Sequence, residues 1–494
     1  MRPALLILLT MASCGTSIGC STVKPATPAG NITAPLASQC PANTKQTPSP
    51  LPPVEPPQDP LVKQVSYLPQ PQQQGNPNSF AGPVHVEGLI QYALANNPQI
   101  RAARYRAWSL GARVPQAVSL PDPNLITTVF TEEIQTAAGP QEIALSLSQK
   151  LPWFGKRHLR GQVACQEARA ACAQAVAEEL KVIEQVKRAY FDLYFVQSAI
   201  DETRRLQPRL EDLIEIARAK YETHVPGAGM ENVLQARVEL AKLKTTLIRL
   251  EQLKVEVQAR LAGVLHLPPD TPFVAVSELQ RTRAVETARI LVELAESCQP
   301  RLDAARHRVA RDNSSIALAG KDYWPDVTVG FNWYGIGSQG ISPVADGRDA
   351  SSLGIGMNLP IYRRRLDAAV RQARCKTSQS RYQYVATRDT INTEIQSLYA
   401  QFQQQQQILA VLDTEILPQA RQTLELAMES YRTGRQDFQQ LIDNYRSLLE
   451  FRIEYHQRTA KREQAIASLE RAVGCAVTAA PTQAEVVLEP VPKK

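Results

Sequence analysis

The side chains able to do chemistry are thinly spread over this 494-residue chain. Its six histidines are His85, His158, His224, His266, His307 and His456. They form no HExxH and no pair four residues apart, so nothing sets two imidazoles on one helix face to hold a metal. The eight cysteines are Cys14, Cys20, Cys40, Cys165, Cys172, Cys298, Cys375 and Cys475. None forms a CxxC, which leaves zinc and thioredoxin-type chemistry without support. The run GIGSQG (335–340) has the GxGxxG spacing of a dinucleotide-binding loop. Such a loop must open directly into a helix to hold a pyrophosphate. Here ISPVADGRDASS follows, with Pro343, and the run reads as a loop between two strands. A Walker A motif is missing from the sequence. Carboxylates along the helical stretches alternate with Lys and Arg, as on a solvated helix face. The sequence therefore reads as no enzyme, with no cofactor and no metal ligands.

What remains is position and transport. Lys+Arg number 55 against 48 Asp+Glu, a net +7 spread along the chain. That excludes an acidic disordered chain and a dedicated nucleic-acid arm, so no nucleic-acid partner is expected. At about 150 residues per domain the length allows about three domains. The longest clean apolar run, ALLILLTMA (4–12), follows Arg2 and is too short to span a bilayer as a helix. It fits the core of a secretory signal occupying 1–20, and export is expected. Cys20 in SIGCST resembles a lipoprotein processing site, although Ser17 stands where that motif prefers Leu. Lipidation at Cys20, lipidation at Cys14 in MASC, and an ordinary cleaved signal without lipid are the three alternatives. Residues 21–85 hold 15 of the 35 prolines. At that density neither helix nor sheet propagates, and the segment reads as a disordered linker. Residues 476–494 read as a disordered tail.

The body between them repeats itself. NPQIRAAR (97–104) matches QPRLDAAR (299–306), and LSLSQKLPWFGKR (145–157) matches LGIGMNLPIYRRR (353–365). Pro123, Pro208, KYET (220–223) and LAGVLH (261–266) find their counterparts at Pro325, Pro418, SYRT (430–433) and LERAVG (469–474), in the same order. The offset drifts only from 202 to 210 residues, which marks a tandem duplication. The first repeat covers 86–266, a connector 267–284 and the second repeat 285–475. Each reads helix, two strands, long helix, turn, helix, giving a mainly α fold with a small β part. In the first long helix Val182, Val186, Ala189, Leu193, Val196 and Ile200 step alternately by four and three, a coiled-coil seam. Ile391, Ile395, Leu398 and Phe402 repeat it. A rod from 154 to about 222 would be about 100 Å long and must stand beside others. Pro208 and Pro418 mark either a shared kink or a plain break between two helices.

The strand pairs alternate. Val327, Val329, Phe331 and Trp333 face one way, with Thr328, Gly330 and Asn332 the other. Leu353, Ile355 and Met357 alternate with glycines and Asn358, and Ile143, Leu145 and Leu147 with Ala144, Ser146 and Ser148. This suits a membrane barrel wall, and also any half-buried antiparallel sheet. Four strands cannot close a barrel, and a bilayer tolerates no open sheet edge, so strands that span it require several chains. A soluble or peripheral coiled-coil adaptor or scaffold of the periplasm would explain the rods, but not the strand pairs.

The duplicated order of elements resembles the TolC-type outer-membrane factors over roughly residues 86–475. The most specific pieces are QKLPWFGKR (149–157), VPGAGMENVLQAR (225–237) and YRTGRQDFQQLIDNYRSLL (431–449). The PWFGKR form is similar to members serving heavy-metal RND pumps, although the Met and His clusters of a metal-handling protein are missing. The resemblance implies a homotrimer with a twelve-stranded β-barrel in the outer membrane of a Gram-negative-type cell. Beneath the barrel it implies a long periplasmic α-helical tunnel. It further implies a channel of a tripartite efflux or type I secretion system, working with a periplasmic adaptor (membrane fusion protein) and an inner-membrane RND or ABC pump. Many members carry an N-terminal lipid, which favours Cys20. Adaptor docking is expected at the tips, where Gly227, Gly229 and Gly434 would supply tight turns. Asp443 matches a gating aspartate of the family and Gln440 stands where another would be. Pairing of Asp443 with Arg446 at i+3 is the alternative. Asp437, with Gln440 three residues on, suits a capping box.

Overall fold

The computed structural model describes residues 82–224, 229–277, 279, 287–338, 340–341 and 343–477. Cys20, Cys14 and Gly227 lie outside the described residues. In chain order the elements are β1 (Pro83–Val84), α1 (Val86–Asn96), α2 (Pro98–Val118), β2 (Asn124–Thr136) and β3 (Gly139–Leu151), followed by α3 (Lys156–Glu222) and α4 (Met230–Leu265). The second half runs β4 (Val274–Ala275), α5 (Ala288–Cys298), α6 (Pro300–Lys321), β5 (Val327–Ile336) and β6 (Ala350–Met357), then α7 (Arg363–Val411), α8 (Leu417–Arg432) and α9 (Phe438–Val473). The fold is mainly α with a small β part, and the order of elements is duplicated. Pro83–Val84 departs from the proline-rich linker expected through 85. Their strand pairs in parallel with Val274–Ala275 of the connector, because a proline is tolerated at the first position of an edge strand.

Two compact units carry these elements. One holds residues 109–168 and 310–377 and contains a four-stranded antiparallel sheet of order β2-β3-β5-β6. Its register aligns the alternation of all four strands. Leu125 faces Leu147, which faces Phe331, which faces Leu353. On the opposite face Ser146 donates to Asn332 Oδ1 at 2.6 Å, and Asn332 Nδ2 donates to Ser352 Oγ at 3.3 Å. The apolar face is open: Leu125 is 64% exposed, Val129 66%, Leu353 73% and Ile355 71%.

The other unit, which includes 169–309 and 378–477, is helical. The seam residues Val182, Val186, Ala189, Leu193, Val196 and Ile200 are all buried. Tyr190 and Tyr194 are buried beside them, as a helix with more than one neighbour requires. Ile391, Ile395 and Phe402 are the buried seam of α7. The two prolines are accommodated differently. Helix α3 runs unbroken through Pro208, so the plain break does not occur there. Before Pro418 the chain makes a π-turn over Leu412–Ile416. The two long helices are 209 residues apart at the seam (Val182 to Ile391) and 210 at the prolines. A π-turn fits one added residue into a helix without ending it, and here it absorbs the difference.

Candidate functional site

The motif QKLPWFGKR builds the joint where strand returns to helix within the sheet unit. Gly155, at φ +86, makes the turn. Lys156 is then carried inward, 3% exposed, where its Nζ donates to Asp326 Oδ1 at 2.8 Å and to the Trp324 carbonyl at 3.1 Å. The Trp153 backbone N–H donates to the same carboxylate at 3.0 Å. The Trp153 and Trp324 rings stack with centroids 5.3 Å apart. A buried ammonium is tolerable only with such partners. The joint thus ties the first repeat to the segment Trp324–Pro325–Asp326 of the second, directly below the β3·β5 pairing. Among the described residues the outer strands β2 and β6 have no further strand beside them, so each presents a row of unpaired backbone groups. GIGSQG leaves β5 into a loop that leads to β6, as the sequence reading expected of it.

At the far turns of the helical unit, α8 ends in a Schellman motif. Gly434 has φ +77, its N–H donates to the Tyr431 carbonyl at 3.1 Å, and the Arg435 N–H donates to Ser430 at 2.9 Å. A side chain at Gly434 would meet open space, so the requirement for glycine is conformational. Gly229 does not share it. With φ −90 it is the extended N-cap of α4, a conformation open to any residue. The left-handed position of the first copy is His224, at φ 54, whose N–H donates to Tyr221 at 3.1 Å. Histidine tolerates this region better than most residues. Sequence reasoning favoured the glycines, although the offset of 210 that aligns KYET with SYRT also sets His224 opposite Gly434.

The turns are held by one apolar cluster that includes Leu213, Ala217, Val233, Ala236, Tyr431, Phe438, Leu441 and Tyr445. Lys220 donates to the Tyr431 carbonyl and lies 4.3 Å over its ring, and the Tyr431 ring meets Phe438 at 5.3 Å. Beside the cluster a polar ladder joins α4 to α9. Gln235 bonds Gln439, and Arg446 forks onto Glu239 at 2.7 and 2.5 Å. That fork holds the Glu239 carboxyl below the usual carboxylate range. Asp443 is exposed. It accepts from Gln439 Nε2 at 3.2 Å and from Arg446 Nη1 at 3.1 Å, so its i+3 pairing is present. Gln440 is exposed one turn earlier. Asp437 occupies the N-cap of α9, but its side chain makes no capping hydrogen bond, and the capping box is not formed. Higher in the unit Glu202, 7% exposed, is the acceptor for Arg452 at 2.8 Å and Arg205 at 2.9 Å, with His456 Nε2 3.9 Å away. His456, with Arg452, holds its carboxyl down to about 2. Among the described residues no group of three His, Cys, Asp or Glu could hold a metal ion, and no helix is long and apolar enough to cross a membrane.

An exposed apolar face on a short open sheet, with duplicated helical hairpins, suits an outer-membrane channel. The chain belongs to the outer membrane efflux protein family, whose model matches residues 89–265 and 291–475. It is similar to the cobalt-zinc-cadmium resistance protein CzcC of Cupriavidus metallidurans, 21% identical over 81% of this chain and 92% of the relative. In fold it is similar to CusC, with a TM-score of 0.66 and 18% identity over 86% of this chain and 99% of that one. It is also similar to VceC of Vibrio cholerae, with a TM-score of 0.65 and 20% identity over 79% and 96%. The protein is thus an outer-membrane efflux channel with a periplasmic helical part.

Proposed function

We propose that three copies of this chain close a twelve-stranded barrel and conduct substrate, without a catalytic step, from a periplasmic adaptor and inner-membrane pump to the exterior. The observation that carries this is the pair of open edges, β2 and β6, on a sheet whose apolar face is exposed. An edge left open in hydrocarbon costs several kcal/mol per unpaired group, and cyclic addition of copies removes every edge. In a cyclic trimer β6 of one copy pairs with β2 of the next. The protein in detergent should be a trimer that conducts ions across a planar bilayer. A monodisperse monomer without conductance would refute the reading.

The turns around Gly229 and Gly434, with Gly227 between α3 and α4, are proposed as the adaptor-docking tips. Likeness to a cobalt-zinc-cadmium resistance protein and to the RND-serving form of PWFGKR favours an RND pump and divalent metal cations as cargo. Asp443, with Gln440 one turn earlier, is proposed to line the narrow end of the tunnel. Arg446 offsets part of its charge there, so the ring of carboxylates attracts cations weakly. Cys20 is proposed as the lipid attachment site. Incorporation of labelled fatty acid should vanish in Cys20→Ala and persist in Cys14→Ala; label surviving in Cys20→Ala would remove the assignment.

A further inference from the structure

Two cysteines that the channel reading leaves unused come together at the end of the second repeat. Cys298 closes α5, and Cys475 follows the glycine that caps α9. Their backbones are held close. A Cβ on Gly474, at φ +92, would lie 2.6 Å from the Cys298 carbonyl oxygen and 2.8 Å from Gln299 Cα. Gln299, 2% exposed, donates its Nε2 to the carbonyls of Arg471 at 3.0 Å and Ala472 at 2.5 Å. Below the joint Leu291, Ala295, Leu469, Ala472 and Val473 share one buried cluster. Cys475 packs against that same cluster, the two thiols are near enough to perturb each other's ionisation, and both are half-buried, so a reagent can reach them.

The first repeat has the same joint without thiols. Asn97 Nδ2 donates to the Val264 carbonyl at 3.4 Å, and His266, at φ 58, stands where Gly474 stands. The cysteine positions there are Asn96 and Leu267. The packing therefore does not need sulfur, and the pair in the second repeat is an addition to it.

We propose that Cys298 and Cys475 are a disulfide site, oxidised in the periplasm by a disulfide-bearing thiol oxidoreductase, which staples the end of the second repeat to its beginning. The periplasm is an oxidising compartment in which such bonds persist. The contact with Cys475 draws the Cys298 thiol below the ordinary thiol range and pushes Cys475 up, so Cys298 is the attacking sulfur. Its thiolate attacks one sulfur of the donor disulfide, and the first donor thiol leaves. Cys475 then attacks the Cys298 sulfur of the mixed disulfide and expels the second donor thiol. Two protons and two electrons pass to the donor, which ends as two thiols.

The test uses the full chain, purified from outer membranes without reductant and alkylated after denaturation. Peptides holding Cys298 and Cys475 should be joined, two hydrogens lighter than the separate peptides, and should take up label only after reduction. Cys375, free and exposed, should be labelled throughout and serves as the internal control. Cys298→Ser with Cys475→Ser should melt below the oxidised protein and together with the reduced one. Full labelling of both cysteines without reductant overturns the proposal, as does either one linked to a different cysteine.

Discussion

Asp326→Asn isolates the charge in the joint between strand and helix. The new amide still offers an oxygen to the Trp153 N–H, so what is lost is the partner of the Lys156 ammonium. At 2.8 Å the two charges attract by about 6 kcal/mol at an effective dielectric of about 20. Desolvation opposes this by several kcal/mol per ion, so the intact pair is close to neutral while a lone survivor keeps the full penalty. Breaking one partner of a buried pair costs about 3–5 kcal/mol. Asp322, 3.6 Å from Lys156 and half exposed, softens the loss and points to the lower end. At about 2.1 cal/mol/K of unfolding entropy per residue, about 3 kcal/mol lowers the midpoint by about 11 °C if the sheet unit of about 130 residues melts alone. The shift is about 4 °C if some 390 residues melt together. Circular dichroism melting of the purified protein in detergent reads the shift and distinguishes the two cases. Lys156→Met combined with Asp326→Asn should melt above Asp326→Asn alone, because the stranded ammonium is gone. A single variant within 1 °C of wild type, or a double variant that loses the sum of both singles, would refute the reasoning.

Gly434→Val forces a β-branched residue into the left-handed region at about 1–2 kcal/mol. Efflux should fall while the protein still reaches the outer membrane, and His224→Gly should leave transport intact; the reverse order of effects would unseat the turn argument. Glu202, whose folded value lies near 2 against an ordinary 4.5, contributes stability that is fully present above 4.5 and lost as pH falls toward 2. The melting gap between wild type and Glu202→Gln, on the order of 3 kcal/mol at neutral pH, should close over that window, and a gap independent of pH would disprove the linkage. Asp443→Ala should lower cation selectivity and divalent block in single-channel recordings, whereas Arg446→Ala, which uncovers Asp443 and Glu239, should raise both. Shifts of the same sign in both variants would place Asp443 away from the conducting path.

The large elements were legible because each is written in a period. The seam from Val182 to Ile200 announces a rod, and the alternation from Val327 to Trp333 announces a two-faced strand. The pairing of β3 with β5 was not legible. Leu147 lies 184 residues from Phe331, and no local pattern encodes a contact that only the closed sheet creates. Motif logic was weaker at the turns. Asp437 and Gln440 have capping-box spacing, yet the donors at the start of α9 are not met by the Asp437 side chain. Gly229 drew attention by its residue type, while the strained conformation fell to His224. The same substitution recurs at the other end of the repeat, where His266 stands for Gly474. Two of the six scattered histidines are thus backbone residues, occupying positions that glycine fills in the sister copy. In the joint of QKLPWFGKR the lysine reads as an ordinary surface cation until its partner Asp326, 170 residues away, is in place.

The π-turn before Pro418 has a meaning for how the two halves of this chain diverge. A residue inserted into a regular helix turns everything beyond it by about 100°. The tip of the second hairpin would then show the wrong face to α4 and α9. By widening one turn, the helix takes in the extra residue and leaves the phase beyond it unchanged, which is why Gly434 still answers to His224 and Tyr431 to Tyr221 at a constant spacing of 210. Length and angular phase are thereby uncoupled along the rod. One copy can gain or lose a residue between seam and tip while its sister does not, and the two tips still turn at equivalent positions.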